Sequence, residues 1–313
     1  MARKPRLWTS DYVYELTIRT ENRMFLLKPD DDTKNISGSC LGRALKRHPV
    51  RIHSFETNIN HIHCIFSLAP NQIANASPFL RYLHGQLAKQ LNIHYSRKGH
   101  VWSSRGHVIP IVDEEALIAR LLYSVTNVVK DGMVEKASQW PGFSTFDQLA
   151  HGKRQTFTYL DRTAWWRAGG PISGISRHKF MRNVTVETSP LPGWENLPAH
   201  ERQARFRCMA REKEAALMKL RELEGRPVMG KAALMRIDPL SRPESEKKST
   251  PMPHCHASTK ESRNSFINDV LKPFWKAYKE ASARFLSGIL TVEFPYGSIP
   301  PPIPTTWTVP SFG

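Results

Sequence analysis

Two runs of alternating residues, 50–57 and 61–68, are separated only by Asn58-Ile59-Asn60, and this spacing constrains the 313-residue chain more than any other feature. A period of two is the period of a strand, and so short and turn-prone a connection pairs the two runs as an antiparallel hairpin. The same period sorts the side chains. His61 and His63 project from one face, while Ile62, Cys64, Phe66 and Leu68 fill the other. Residues 12–19 alternate in the same way, with Tyr12, Tyr14, Leu16 and Ile18 on one side and Val13, Glu15, Thr17 and Arg19 on the other, and supply a further strand that opens the sheet.

Helical patterns surround these strands. A polar turn at 30–34 precedes a helix around 39–46. Ser77-Pro78 is a cap and first-turn pair, after which Leu80, Leu83, Leu87 and Leu91 recur at helical spacing to about residue 93. A loop at 99–105 and a short strand at 108–112 lead to Asp113-Glu114-Glu115, whose acidic groups suit a helix N-terminus, and Gly132 is a natural stop. On that helix Ile118, Leu121, Leu122, Val125 and Val129 form an apolar stripe for docking on a sheet. Tyr123 and Asn127 lie together on the other side, one turn apart.

The texture changes after residue 151. A Trp165-Trp166 pair and a Gly- and Pro-rich stretch to Trp194 precede a charged helical pattern at 199–224. We therefore expect a catalytic domain at 1–152, a basic, partly helical extension at 153–240, a polar linker at 241–264, and at 265–313 a final helix to about 287 followed by a Pro-rich tail at 294–304. The expected fold class is α+β, a central antiparallel sheet with flanking helices, plus a mainly helical C-terminal extension.

Forty-five Lys and Arg against 28 Asp and Glu give a formal charge of +17, which favours a polyanionic partner, nucleic acid foremost. No apolar run approaches the roughly 20 residues needed to span a bilayer, and Met1-Ala2-Arg3-Lys4-Pro5 lacks an apolar signal core, so we expect no membrane attachment and a cytoplasmic location, nucleoid-associated when bound to DNA. Cys40, Cys64, Cys208 and Cys255 form no CxxC pair, which argues for reduced thiols over disulfides or a cysteine zinc site. Two histidines on one strand face can share a metal ion but need a third ligand. His254-Cys255-His256 also offers ligating atoms, in linker-like sequence without further ligands. Trp102, Trp140 and Trp165-Trp166 read more readily as packing than as chemistry.

Four motifs carry a resemblance when taken in order: Asn60-His61-Ile62-His63-Cys64-Ile65-Phe66, then Gly99-His100-Val101-Trp102, then Tyr123-Ser124-Val125-Thr126-Asn127, and finally Trp140-Pro141-Gly142-Phe143-Ser144-Thr145-Phe146. In these the first half of the chain resembles the REP-associated tyrosine transposases, which belong to the single-tyrosine HUH nucleases. The resemblance implies a ferredoxin/RRM-like HUH nuclease fold, with His61, His63 and Asn127 as metal ligands and Tyr123 as nucleophile. It also implies a 5′-phosphotyrosine intermediate with a free 3′-hydroxyl. A tyrosine hydroxyl is a poor nucleophile at neutral pH, so phosphodiester attack needs the substrate polarised. Two imidazoles and an amide form a neutral, incomplete ligand set that leaves room for phosphate oxygens and suits Mg²⁺ or Mn²⁺.

The expected partner is single-stranded or hairpin DNA, with Arg19, Arg23, Trp102, Arg105 and Lys130 as candidate contacts; the sequence leaves open whether the protein works as a monomer or a homodimer. Where the family commonly has proline after the asparagine, this chain has Val128, so the helix is expected to continue smoothly towards Lys130. The rival readings are a catalytically silent DNA-binding regulator on the same fold, or another HUH enzyme such as a relaxase or replication initiator. Relaxases carry three metal-binding histidines and a tyrosine near the N-terminus, a pattern not found here.

Overall fold

A computed structural model describes residues 4–244 and 252–302. Four strands, β1 (Val13–Arg19), β2 (Arg51–Thr57), β3 (His61–Ser67) and β4 (His107–Ile111), form one antiparallel sheet in the order β2-β3-β1-β4. The helices of the first half are α1 (Asp31–Arg47), α2 (Ala76–His94), α3 (Glu114–Val125), α4 (Asn127–Lys130) and α5 (Phe146–His151). A hairpin of β5 (Gln155–Leu160) and β6 (Met181–Val186), with α6 (Arg162–Arg167) between its strands, precedes α7 (Ala199–Leu223) and α8 (Gly230–Arg236). The last elements are α9 (Lys260–Ser265), π-helical turns at Phe266–Leu271, and α10 (Lys272–Leu286). The wide turns lie just ahead of Pro273, which has no N–H to give to an α-helical ladder. The fold is thus α+β with a mainly helical extension. The end of the Pro-rich tail, from residue 303, and part of the polar segment, 245–251, lie outside the described residues. Among the described residues no helix is long and apolar enough to cross a membrane.

The alternation of the strands divides the molecule into layers. Tyr14, Leu16, Ile18, Ile62, Cys64 and Phe66 pack with Leu41, Leu80, Leu83 and Leu87 in a core between the sheet and α1 and α2. On the opposite face Val13, Ile65 and Ile111 meet Leu117, Leu121, Val125 and Val129 of α3 and α4, and Phe206 and Ala210 of α7 close that layer from outside. The buried Phe206 ring sits edge-on to Phe146 of α5, 5.4 Å between centroids.

α1 begins earlier than expected. Residues 30–34 are no turn: Asp30 caps the helix through Thr33 N at 2.8 Å, and Asp31 and Asp32 occupy the first turn. Gly38 and Gly42 lie one turn apart on the face of α1 against which the β5–β6 hairpin packs, while Cys40, Leu41 and Ala44 join the core under the sheet. A Cβ on Gly38 would meet the Phe157 ring, and one on Gly42 would meet Val184, so both positions must stay bare for the hairpin to seat.

Both outer edges of the sheet take added backbone bonds, β2 along most of its length and β4 at its C-terminal end. Along β2, Ser189 N donates to Ile52 O at 2.6 Å, Thr145 N to Phe55 O at 3.1 Å, and Thr57 N to Phe143 O at 2.8 Å. Along β4, His256 N donates to Pro110 O at 2.8 Å and Val112 N to His256 O at 3.0 Å.

Two histidines in these layers make stability depend on pH. His53 on β2 is buried, with Nε2 2.8 Å from Ser67 Oγ and Nδ1 3.2 Å from Ser189 O. Burial pushes its pKa from 6.5 down to about 4, against the opposing pull of the Ser189 and Pro190 carbonyls. His84 is pushed down to about 3 by burial and by the charge of Arg6. The unfolded chain therefore takes up protons that the folded chain refuses. The stability from each group is fully present above about pH 6.5 and is lost as pH falls towards the folded-state value. For His53 the loss is on the order of 3 kcal/mol. Guanidinium unfolding at pH 7.5 and pH 4.5 should show a smaller difference in His53→Gln than in the wild type, and an equal difference would remove His53 as a source.

Candidate active site

The site forms on the α3 face of the sheet. The β1–β3 register sets Arg19 opposite His61, Thr17 opposite His63 and Glu15 opposite Ile65, so the polar side of β1 and both histidines share one face. The imidazole centroids lie 5.0 Å apart at 82°, and both residues are buried. In each ring one nitrogen is engaged at the back. His61 Nδ1 is 2.8 Å from Asn60 Oδ1, and His63 Nδ1 is 3.1 Å from Glu15 Oε1 and 3.2 Å from Thr17 Oγ1. Pairing Nδ1–H with these oxygens leaves both Nε2 atoms as bare acceptors. Burial, followed by the charges of His63 and Arg19, holds the His61 pKa well below its usual value, so its lone pair stays available.

Tyr123 is half-buried near the end of α3, its ring edge-on to His63 at 5.5 Å between centroids. Arg120 and Lys130 flank that ring, the guanidinium carbon 4.1 Å and Nζ 4.8 Å from its centroid. The helix does not run smoothly to Lys130. It breaks at Thr126 (φ −100°, ψ 8°), whose hydroxyl donates to Leu122 O at 2.7 Å, and restarts as α4 at Asn127. A hydroxyl that returns to the carbonyl four residues back is a local competitor for the helical ladder, and it interrupts this helix without proline. The break turns the buried Asn127 towards the hairpin connection, where its Oδ1 accepts from Asn58 Nδ2 at 3.1 Å.

Asn58 Nδ2 also lies 2.9 Å from His61 Nε2. One amide donor therefore bridges two of the three acceptors that the motif resemblance assigns to a metal. Two further buried acceptors beside them, His63 Nε2 and Asn58 Oδ1, have no partner. Four acceptors sharing one donor make a pocket short of positive charge, which is the condition a bound cation relieves. No group of three or more His, Cys, Asp or Glu side chains is placed to hold a metal among the described residues, so a cation here depends on amide oxygen for its third protein donor.

Sequence reasoning missed Glu15. It is 1% exposed and takes both Arg120 bonds, Nε to Oε2 at 2.6 Å and Nη2 to Oε1 at 2.7 Å, besides His63. His256 Nε2 lies 2.8 Å from Oε2, within ion-pair range but off the line of an aligned hydrogen bond. Burial alone would raise the Glu15 pKa; the contacts of His256, His63 and Arg120 outweigh it and hold the carboxyl well below the usual range. A charged residue on the inward face of a strand was the available signal. Glu56, opposite His63 on β2, behaves differently: burial pushes it up to about 7, only partly offset by bonds from Ser144 and Thr145.

Of the candidate DNA contacts, Arg19 ends β1 beside His61, Trp102 bridges to Thr20, and Arg23 O accepts from Asn60 Nδ2 at 3.2 Å. Arg19 and Arg23 thus border the histidine strand, while the Trp102 ring packs on His84 in the layer across the sheet. Arg105 is exposed on the loop before β4, and Lys130 lies on the Tyr123 ring. Trp102 is half-buried with its indole N–H on His84 O, while Trp140 is core, donating to Thr57 O. His254, Cys255 and His256 diverge to Trp275, an apolar cluster and Glu15 respectively.

Residues 8–120 match the family described as "Transposase IS200 like", a stretch that contains both histidines and ends short of Tyr123. Among solved structures the chain is similar to a REP-associated tyrosine transposase bound to a REP hairpin, at 23% identity over 49% of this chain and 87% of that one, with a TM-score of 0.41. It is also similar to a candidate transposase from Deinococcus radiodurans R1, at 17% identity over 40% of this chain and 97% of that one, TM-score 0.29. No curated protein matches the chain.

Proposed function

We propose that this protein is a transposase-type, metal-assisted endonuclease and strand transferase for single-stranded, hairpin-containing DNA, with Tyr123 as nucleophile. The observation that carries the reading is the grouping of the His61 and His63 rings with the Asn127 oxygen, which shares the Asn58 amide donor with His61 Nε2, beside a tyrosine ring that Arg120 and Lys130 flank. The similarity of residues 8–120 to IS200-type transposases supports it, and the hairpin preference comes from the motif resemblance.

His61, His63 and Asn127 would hold Mg²⁺ or Mn²⁺, which when bound supplies polarisation of the phosphate and neutralisation of its charge. The chain's own residues do the rest. Lys130 places a positive charge beside the Tyr123 ring, where it can meet an incoming phosphodiester, while Arg120, its charge paired with Glu15, packs its guanidinium on the same ring. The Tyr123 oxygen bonds to phosphorus as the bond to the 3′-oxygen breaks. That oxygen leaves as a 3′-hydroxyl after gaining a proton, and the 5′ end stays on the enzyme as a phosphotyrosine diester. Attack by a second 3′-hydroxyl reverses the step, joins the strands and returns the proton to Tyr123. No external energy source is needed, because the phosphodiester count is conserved.

The test uses purified full-length protein and labelled DNA from the flanks of its own gene. With Mn²⁺ or Mg²⁺ the single-stranded hairpin form should yield a protease-sensitive adduct, and chelation should abolish it. Equal cutting of fully paired duplex, or undiminished adduct with a chelator present, would overturn the reading.

A further inference from the structure

The His254-Cys255-His256 triplet, left without a role by its sequence, sits against the catalytic sheet. Residues 254–258 lie at the outer edge of β4, joined to it at His256, which is bridged in parallel to Ile111. Three anchors hold the segment there. Cys255 is buried with Phe266 and Leu271, His254 packs on the Trp275 ring at 5.3 Å, and Phe266 sits edge-on to Tyr12 of the sheet at 5.0 Å.

From this edge the segment reaches the candidate site twice. His256 lies against the Glu15 carboxylate, which in turn holds His63 Nδ1 and the Arg120 guanidinium. Two residues on, Ser258 N donates at 2.8 Å to Asp113 Oδ2. The other oxygen of Asp113 caps α3 through Ala116 N at 2.8 Å, and α3 is the helix that carries Arg120 and Tyr123. One short segment thus touches the residue behind a metal-facing histidine and the residue that starts the nucleophile's helix.

We propose that residues 254–258 form a strap that completes the active site, and that His256 is a positioning residue acting through Glu15 on His63 and Arg120. The proposal rests on the functional reading above in assigning His63 to the metal. Physically, a carboxylate offers about four lone-pair sites; Arg120 takes one on each Glu15 oxygen and His63 a second on Oε1, so Oε2 is the side with room for a further contact. Contact from His256 on Oε2 completes the set of groups that hold the carboxylate in place. Carboxylates behind metal-bound histidines set ring orientation, and losing such support typically costs about 10- to 100-fold in metal affinity or activity. His256 stands one contact further back, so we expect about a 10-fold effect, the lower end of that range.

Two variants separate positioning from bulk structure. His256→Gln retains an N–H that can reach Glu15, whereas His256→Asn is too short. The first readout is nitrogen NMR of ¹⁵N-histidine-labelled, metal-free full-length protein, and the second is the Mn²⁺ concentration that gives half-maximal adduct. In His256→Asn the His63 Nδ1–H signal should broaden or shift and the Mn²⁺ requirement should rise about 10-fold with hairpin affinity unchanged, while His256→Gln should restore both. A His256→Asn protein with a lower melting temperature but wild-type His63 signals and Mn²⁺ requirement would overturn the proposal, leaving the strap as mere bracing. If the wild type forms no adduct at all, the functional reading fails, and the His63 signals of the two variants still decide whether the strap positions that ring.

Discussion

Tyr123→Phe is expected to give no covalent protein–DNA adduct above background while the protein stays folded and keeps most of its affinity for hairpin DNA. The substitution removes one oxygen. The ring stays to pack edge-on against His63 and beneath Arg120 and Lys130, and those contacts involve the ring and not the hydroxyl. Phosphate contacts by Lys and Arg do not pass through that oxygen either, so binding and its salt dependence should be little changed. The measurement is a denaturing gel with labelled single-stranded DNA, in which the wild type gives a slow, protease-sensitive band. Tyr82, Tyr95 and Tyr159 are badly placed for the same role. Tyr82 lies on α2 with Arg43 and Arg47 over its ring, and the Tyr95 hydroxyl pairs with Thr33 at 3.1 Å, both in the layer across the sheet. Tyr159 sits on the β5–β6 hairpin outside α1. An adduct that persists in Tyr123→Phe would mean that the nucleophile is not on α3.

Glu15→Leu is expected to destabilise the fold by about 3 kcal/mol, the lower end of the cost of removing one partner from a buried ion pair. Leucine leaves His63 Nδ1 without its carboxylate and Arg120 with no counter-charge in the interior. The Arg120 side chain is 24% exposed and can recover some hydration, which is why the lower end applies. A useful contrast is the pair between Arg154 and Glu187, 69% and 54% exposed, where Glu187→Leu should change stability by no more than about 1 kcal/mol. Denaturant unfolding at neutral pH decides between them, with the slope unchanged if both variants unfold in one step. A Glu15→Leu protein as stable as the wild type would show that the carboxylate is not needed to hold α3 on the sheet.

The parts of this molecule legible in its sequence are those that repeat over many residues. The two alternating runs and the turn between them gave the β2–β3 hairpin, and the α3 stripe gave the helix opposite it. α1 was only half legible, because a helix that must admit a hairpin against Gly38 and Gly42 carries small residues where the apolar signal would be. The break at Thr126 has no proline or glycine to announce it; it rests on one side-chain hydroxyl. Asn58 looked like a turn residue, and its bridge between His61 and Asn127 follows from the helix break as much as from its own position. Glu15 needed the strand register, and His256 needed a contact between residues far apart in the chain, which no local pattern records.

The bonded sheet edges bear on how copies of this chain can meet. An exposed edge strand is an open template for polymerisation, since its unpaired N–H and C=O groups accept any strand that arrives. Here one margin is occupied by residues 143–145 and 189 and the other, at its C-terminal end, by residue 256, so a neighbouring molecule finds no continuous ladder to extend. A dimer of this protein would therefore be joined through helices or loops, leaving each sheet finite. The same arrangement makes the C-terminal segment a guard against aggregation: a chain that lost it would bare the end of β4, and the first sign of that loss in a cell would be insolubility as much as inactivity.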